Sequence, residues 1–435
     1  MFNKTLGNWL VAVFAMLFLA LPLAGALLFD MPVQLTQPDG SILECLASGD
    51  EYHNWLHDAG KFTIMQSPET GWYVYAEKSA GKLYAGNLIP GRDDPSRAGL
   101  IPNLNISEEE YKERRNTKFS IPVERDAPTI GTINNIVIYI RFAGETEFGQ
   151  NQSLYDGWFN TNASSQKTYF QEVSYNQLTV NTHFYPVSGN NFVLSWQDSN
   201  PRSYYQPYNA STNPNGYSGD TQRRTREFTL LQNATNGVSS QIPSSLVIDS
   251  DGDGRVDNVV YIVRGSAGGW NELLWPHRWA LYDRFVYING KRVYDFNFQL
   301  QDFLTSQNVG VICHEFFHTL GAPDLYHYTS NGISPVGSWD LMENNSNPPQ
   351  HMGAFMKWKY GNWISSIPTI SADQVYSLNP VTSSTGQVYR INSPNSSTEY
   401  FVVEYRRKMG TFENSLPGSG LLVYRINTSA GNGNA

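Results

Sequence analysis

The stretch "TSQNVGVICHEFFHTLGAPD", Thr305 to Asp324, decides how the rest of the chain is read. Thr305 or Ser306 can cap a helix start, Gly321 is a stop signal, and Pro323 forbids continuation. At about 3.6 residues per turn, Val309, Ile312, Phe316 and Leu320 share one apolar, core-facing stripe. His314 and His318, four apart, stack on the opposite side. Cys313 falls nearer the stripe and reads as core. Two imidazoles one turn apart can share a metal ion, while Glu315, about 100° round from His314, reaches a water on it. A four-coordinate catalytic zinc takes three protein ligands and keeps one position for water. Gly321 can adopt the left-handed conformation that reverses the chain, and Ala322-Pro323 then brings Asp324 back as the third ligand. The competing reading is an ordinary helix with a satisfied surface His pair. The glycine, the carboxylate and an export signal weigh against it together.

Working outward, "NIVIYIRF" (Asn135 to Phe142) and "NVVYIVRG" read as buried strands. "SSQKTYFQEVSYNQ" and "RRTREFTLLQNA" read as helices, the first starting near Ser164, and "LTVNTHFYPV" as a strand. This alternation predicts an α/β unit ahead of the His-rich helix. Between about Pro32 and Tyr75, aromatics alternate with turn residues, as in short strands and hairpins. From Gly81 to Ile130, prolines, charges and the pair Arg114-Arg115 suggest an exposed, cleavable linker. After Trp363, runs such as "YFVVEYRR" and "GLLVYRIN" predict an all-β region.

The chain has 435 residues, enough for two or three domains, with 40% hydrophobic and 16% charged residues and a net charge of −9. Thirty basic against 39 acidic residues argue against a nucleic-acid partner, which would want a basic face. Near the start, Lys4 precedes "LVAVFAMLFLALPLAGA", a core of signal-peptide length ending in small residues. Cleavage after Ala26 is expected, giving an extracellular protein without stable membrane insertion. Two cysteines, Cys45 and Cys313, supply no disulfide framework.

"HEFFHTLGAPDLYH" resembles the metzincin pattern HExxHxxGxxH/D, with aspartate in the third position. The fuller string is similar to the immune inhibitor A-like family of secreted bacterial zinc metalloproteases. "SPVGSWDLMENN" resembles that family's Met-turn, which would put Met342 beneath the zinc. "YFQEVSYNQLTV", "DSDGDGRVDNVVYIV", "LLWPHRW" and "LPGSGLLVYRI" follow in family order, so the likeness runs from Ile133 to Ile426. It reaches more weakly into "SGDEYHNWLHDAG". The chain departs from some metzincins in having no tyrosine two places after Met342, which leaves the oxyanion-stabilising group open among Tyr326, His327 and Tyr328. Glu343 could stand in for the distant glutamate ligand of thermolysin-like enzymes, a weaker reading than Asp324.

The resemblance implies an α+β fold: a metzincin-like zinc-peptidase domain, with a twisted sheet and active-site helix, between a small β-rich pro-region and an all-β region. The expected divisions are 1–26 signal peptide, 27–130 pro-region and linker, 131–365 catalytic domain, and 366–435 β-rich tail. The text breaks off after a strand, as a shortened copy of a longer chain would. The implied activity is zinc-dependent cleavage of extracellular proteins or peptides, with one catalytic Zn²⁺ on His314, His318 and Asp324 and Glu315 as general base. A non-catalytic, calcium-stabilised surface-binding protein on the same fold is the alternative, and a hydrolase of non-peptide amides a third.

"DSDGDGRVD" carries Asp249, Asp251, Asp253 and Asp257 around a glycine turn, as in loops that wrap Ca²⁺. Val260 replaces the EF-hand glutamate, so this is no EF-hand. A structural calcium site completed from elsewhere, for instance by Glu272, and a metal-free Asx-turn both remain open. Cys45 offers a cysteine-switch latency that nothing around it marks. His277, between two tryptophans, reads as packed aromatic core or cleft lining. Oligomeric state is not legible.

Overall fold

The computed structural model describes residues 28–50, 52–119, 127–267, 273–307, 309–326 and 334–430. The expected signal segment, Glu272, His327 and Tyr328 lie outside the described residues. Among the described residues, no helix is long and apolar enough to cross a membrane.

The first unit is a six-stranded sheet joined in sequence order: β1 (Leu28–Thr36), β2 (Ile42–Gly49), β3 (Asn54–His57), β4 (Thr63–Gln66), β5 (Tyr73–Ser79) and β6 (Lys82–Ala85). Each neighbour pair is antiparallel, as short hairpins require. Helix α1 (Glu108–Phe119) follows, within the stretch expected to be an exposed linker. Tyr111 there closes on Tyr52 at 6.1 Å and Arg114 stands 3.5 Å from the His53 ring, so this part is a docked helix; residues 120–126 lie outside the described residues.

The second unit contains β7 (Gly131–Arg141), α2 (Gln152–Asp156), α3 (Gln166–Val173), β8 (Leu178–Tyr185), β9 (Trp196–Gln197), α4 (Gly219–Val238), β10 (Val259–Val263) and β11 (His277–Ala280). A small hairpin of β12 (Val286–Ile288) and β13 (Lys291–Val293) precedes β14 (Asp295–Leu300), α5 (Gln301–Gln307) and α6 (Val309–Thr319). The strand order is β11-β14-β10-β7-β8, with β9 also on β7. All pairings but β11–β14 are parallel. A parallel sheet needs cover on both faces, and the pleat supplies it. Ile136, Ile138, Ile140, Tyr261 and Val263 point into one apolar cluster with Phe228, Leu231 and Ala234 of α4. Ile133, Val137, Tyr139, Val260 and Ile262 point into the other, with Phe170 of α3 and Phe316 of α6. The expected α+β composition is thus laid out as helix layers on both sides of a mostly parallel sheet.

Local chemistry places these elements. Ser165 caps α3: its hydroxyl accepts from Thr168 N at 3.2 Å while Ser165 N donates to Thr168 Oγ1 at 3.0 Å. Thr305 and Ser306, expected as caps, instead sit inside α5 and bond back to the carbonyl of Asp302 at 2.8 and 3.2 Å. Helix α6 is buried all round, including the face that carries the histidines, so it has no polar solvent side. Phe316 meets Phe170 edge-on with centroids 4.8 Å apart, and Phe317 stacks on Trp363 at 5.7 Å. Each buried ring contributes about 1.5–3 kcal/mol of apolar burial, which pins the helix in rotation and height.

Beyond α7 (Ala354–Lys359), strands β15 (Val388–Asn392), β16 (Glu399–Arg406) and β17 (Gly420–Asn427) form an antiparallel sheet, as the alternating text predicts. The N-terminal sheet is not free-standing. Met31, Leu35, Ala47, Leu56 and Ile64 belong to the same apolar cluster as β7, β10 and α4.

Candidate metal centre

One turn apart on α6, His314 and His318 meet edge-on, ring centroids 4.7 Å apart and planes at 81°. Gly321 has φ 95°, the left-handed conformation expected past the helix end. Its N–H returns to the His318 carbonyl at 2.8 Å, and Asp324 comes back beside both rings. The His314 and His318 Nε2 atoms are 3.0 Å apart; Asp324 Oδ1 is 3.1 Å from the first and 3.4 Å from the second.

The far side of each ring fixes its tautomer. His314 Nδ1 donates to the Leu341 carbonyl at 3.0 Å, and His318 Nδ1 to the Ala322 carbonyl at 2.7 Å. A carbonyl can only accept, so both neutral rings turn Nε2 lone pairs inward. Two lone pairs and a carboxylate oxygen this close repel unless a cation sits among them. Donors of a tetrahedral zinc, each about 2.0–2.1 Å from the ion, stand about 3.3 Å apart. The three distances match that spacing, and His₂-carboxylate is a zinc donor set. Without an ion, protons mediate. Burial pulls both imidazoles down; at His318 it prevails, while at His314 the hydrogen bond and charge of Asp324 raise the net value. Burial would raise Asp324, yet the His318 charge and bonds from both imidazoles hold it below the usual carboxylate range.

Glu315, fully buried, follows His314 on the same turn, and its charge helps raise the His314 imidazole. Met342 is fully buried in the core cluster that contains Phe316 and Leu320. Its turn braces the candidate donor group by consecutive carbonyls: Leu341 receives His314, and Met342 receives Leu325 N, next to Asp324, at 2.9 Å. The turn is itself cross-braced. Asp340 accepts from Met342 N at 2.8 Å and from Gly353 N at 2.7 Å. Burial raises its carboxyl to about 7 against those bonds.

Glu343 is not part of the ligand group; it accepts from Val336 N, Gly337 N and Ser334 Oγ and ties that loop down. A cavity of about 530 Å³ adjoins the centre, lined by Asp324, Trp339, Phe355, Tyr360 and Tyr424 among others. His277 is core: it bonds Glu227 at 2.8 Å and the Trp275 carbonyl at 2.7 Å, and stacks on Phe298. Cys45 and Cys313 are both free and buried, and burial pushes Cys45 up to about 12, which makes it a poor ligand.

In the acidic loop, Asp249, Asp251 and Asp257 bring one oxygen each within 4.8 Å of one another; Asp253 is not in that group. Asx-turns also run through it, with Gly252 N on Asp249 at 2.8 Å and Arg255 N on Asp253 at 2.8 Å. Lys291 reaches Asp249 at 2.6 Å.

Sequence reasoning missed three contributors. Arg406, on β16, is fully buried, donates to the carbonyls of Trp339 and His351, and pairs with Glu413 at 2.6 Å. Asp340 was passed over beside Met342. Tyr52, in the first unit, packs on Tyr326, two residues beyond Asp324. No local signal exposes Arg406 or Tyr52, because each meets residues far along the chain, whereas Asp340 also holds its near neighbour Met342.

Residues 145–357 match the family described as "Immune inhibitor A peptidase M6, catalytic domain". The chain is similar to Immune inhibitor A of Bacillus thuringiensis subsp. alesti, 28% identical over 146 residues, which covers 26% of this chain and 20% of that protein. It therefore spans about a fifth of the length of that relative. The crystal structure of wild-type OgpA from Akkermansia muciniphila aligns with 72% of this chain and 88% of its own at 12% identity, with a TM-score of 0.30.

Proposed function

We propose, on the premise that this chain belongs through its residues 145–357 to the immune inhibitor A peptidase family, that it is an exported zinc-dependent endopeptidase. The observation that carries the reading is the triangle of His314 Nε2, His318 Nε2 and Asp324 Oδ1, 3.0 to 3.4 Å on a side, with both Nδ1 atoms tied to carbonyls. Those three atoms would hold the ion. When bound there, zinc supplies Lewis acidity that makes water a nucleophile near neutral pH and polarises a peptide carbonyl. Glu315 takes the proton from the attacking water and passes it to the leaving amine as the C–N bond breaks, yielding a carboxylate and an amine. Asp324 leaves the site less positive than a third imidazole would, which tempers the Lewis acidity. The cavity beside Asp324 is where we place part of the peptide chain. Residues 27–130 serve as the pro-region, 131–365 as the catalytic domain and 366–435 as a β-rich tail, with a structural Ca²⁺ on Asp249, Asp251 and Asp257.

The test is metal analysis of the purified chain together with casein zymography after limited proteolysis, with and without a zinc chelator. We expect one zinc, lost in His318→Ala, and chelator-sensitive cleavage. Cleavage that survives chelation, or an absence of zinc, would overturn the reading.

A further inference from the structure

The cavity of about 530 Å³ beside Asp324 touches every residue of β17 from 422 to 428. Successive side chains of a strand point to opposite faces, so a cavity that meets them all runs along the strand's edge and not across one face. That edge is free. In the order β15-β16-β17, the last strand has a partner on one side only among the described residues. Thr428 N donates to the Thr398 carbonyl at 2.8 Å, and the β16–β17 register runs on without a shift from Asn427 back to Gly420. Hydrogen-bonded and non-hydrogen-bonded pairs alternate along an antiparallel ladder, so Ile426, Tyr424 and Leu422 bond to β16. Val423 and Arg425 then direct their N–H and C=O outward, along the cavity.

The walls of this groove suit an extended peptide. Its other lining includes Pro323, Asp324, Pro335, Trp339 and Phe355, none of which belongs to a strand that could pair with the edge. The even-numbered face of β17 is apolar: Tyr424 and Ile426 pack with Phe355 on the cluster of Ala354 and Val402, and the Tyr424 hydroxyl accepts from Phe355 N at 3.1 Å. The odd-numbered face carries Val423, 52% exposed, and Arg425, which reaches Glu399 only at 3.9 Å. A strand added here sets one run of alternate side chains beside Tyr424 and Phe355 and the other beside Arg425. Apolar residues suit the first run and acidic residues the second.

We propose that the free edge of β17 is the docking strand for peptide substrates, which add to the β15–β17 sheet through the main-chain groups of Val423 and Arg425 and run past Asp324. The peptides it selects alternate apolar and acidic residues. The proposal rests on the zinc reading above and deepens it by naming the substrate class, and it makes β17 a wall of the active site instead of a separate tail. A row of unpaired N–H and C=O groups is a template for one more strand. Main-chain bonds to such an edge supply affinity, and the side chains on its two faces supply selectivity. Continuity with Asp324 favours substrate over any other occupant, because a strand laid in this groove passes a donor of the candidate metal centre.

The probe is a fluorescein-labelled octapeptide of alternating leucine and glutamate, its binding to the full chain followed by anisotropy. A zinc chelator is present throughout, so no bond is cut, and β17 holds none of the proposed metal donors. Val423→Pro removes an outward N–H at a place where an edge strand tolerates proline. It should weaken binding on the order of tenfold, the scale of one lost hydrogen bond. Leu421→Pro, two residues back on the same edge and outside the cavity lining, should bind as wild type does. Should Val423→Pro fail to fold, N-methylation of the peptide decides the matter on the wild-type chain: binding should fall at every second position, the period of a strand. Wild-type affinity in folded Val423→Pro, or equal loss at all methylated positions, would overturn the proposal. So would a dimer of the chain that Val423→Pro abolishes, which would give the edge to a second copy. Period-two binding by a chain that takes up no zinc would leave the groove standing and sink the metal reading; zinc and cleavage without that pattern would do the reverse.

Discussion

His314 donates its Nδ1 proton to the carbonyl of Leu341, 3.0 Å away, so the orientation of a proposed metal ligand on one helix is set by a turn a few tens of residues downstream. Asp340 holds that turn by accepting from Met342 N and Gly353 N. Partners of this outer kind are worth about 10- to 100-fold in metal affinity. Asp340→Ala should therefore weaken zinc binding by about that factor in chelator competition, with the fold retained by circular dichroism. Unchanged affinity in a folded variant would show that Asp340 only packs the turn.

Glu315 shares the helical turn of His314 but is not one of the three clustered donors. Glu315→Gln should keep zinc at wild-type stoichiometry and lower the turnover of the processed enzyme by about 10²–10⁴-fold, the range for loss of a general base. Zinc content and kcat on a quenched fluorescent peptide check the two halves separately. Loss of zinc in this variant would make Glu315 a structural support of the site.

Arg406 lies between Glu404 at 3.2 Å and Glu413 at 2.6 Å with no solvent exposure on any of the three. It also donates to the Trp339 carbonyl, one residue before Asp340. Removing one member of a buried ion group leaves the others uncompensated, at a cost of about 3–5 kcal/mol. Arg406→Met should lower stability by that amount in urea unfolding, and lower zinc affinity along with it. A stability loss with zinc affinity intact would separate the β-tail from the metal centre.

These contributors divide cleanly by sequence distance. His314, His318, Gly321 and Asp324 were legible because one helix and one reverse turn fix their geometry, and spacing alone encodes both. Strands β7 and β10 were legible because a strand covered on both faces is apolar throughout. Arg406 and Trp339, or Tyr52 and Tyr326, meet only through the tertiary fold, and a single chain carries no pattern that pairs them. The start of α6 was misplaced for a related reason. Thr305 and Ser306 are good caps in isolation, but their hydroxyls found helical carbonyls inside α5. The polar side expected of α6 is absent because His314 and His318 are buried, tied to the carbonyls of Leu341 and Ala322.

Calcium binding to the acidic loop should strengthen as pH rises. Burial, against the bonds from Ser250 and with the charges of Asp251 and Asp249, raises the Asp257 carboxyl to about 7. A carboxyl raised above its unfolded value of 3.8 keeps more protons in the folded state. Without a cation it therefore lowers stability progressively as pH climbs from about 4 to 7. Calcium reverses this by replacing the proton: at pH 5 it must displace one, and at pH 8 it meets an ionised site. The rise in Tm on adding calcium should be larger at pH 8 than at pH 5, and that difference should shrink in Asp257→Asn, which cannot ionise. Differential scanning fluorimetry across the two pH values measures it. Equal shifts at both, or the same pH difference in the variant, would favour a metal-free Asx-turn at Asp249 to Asp257.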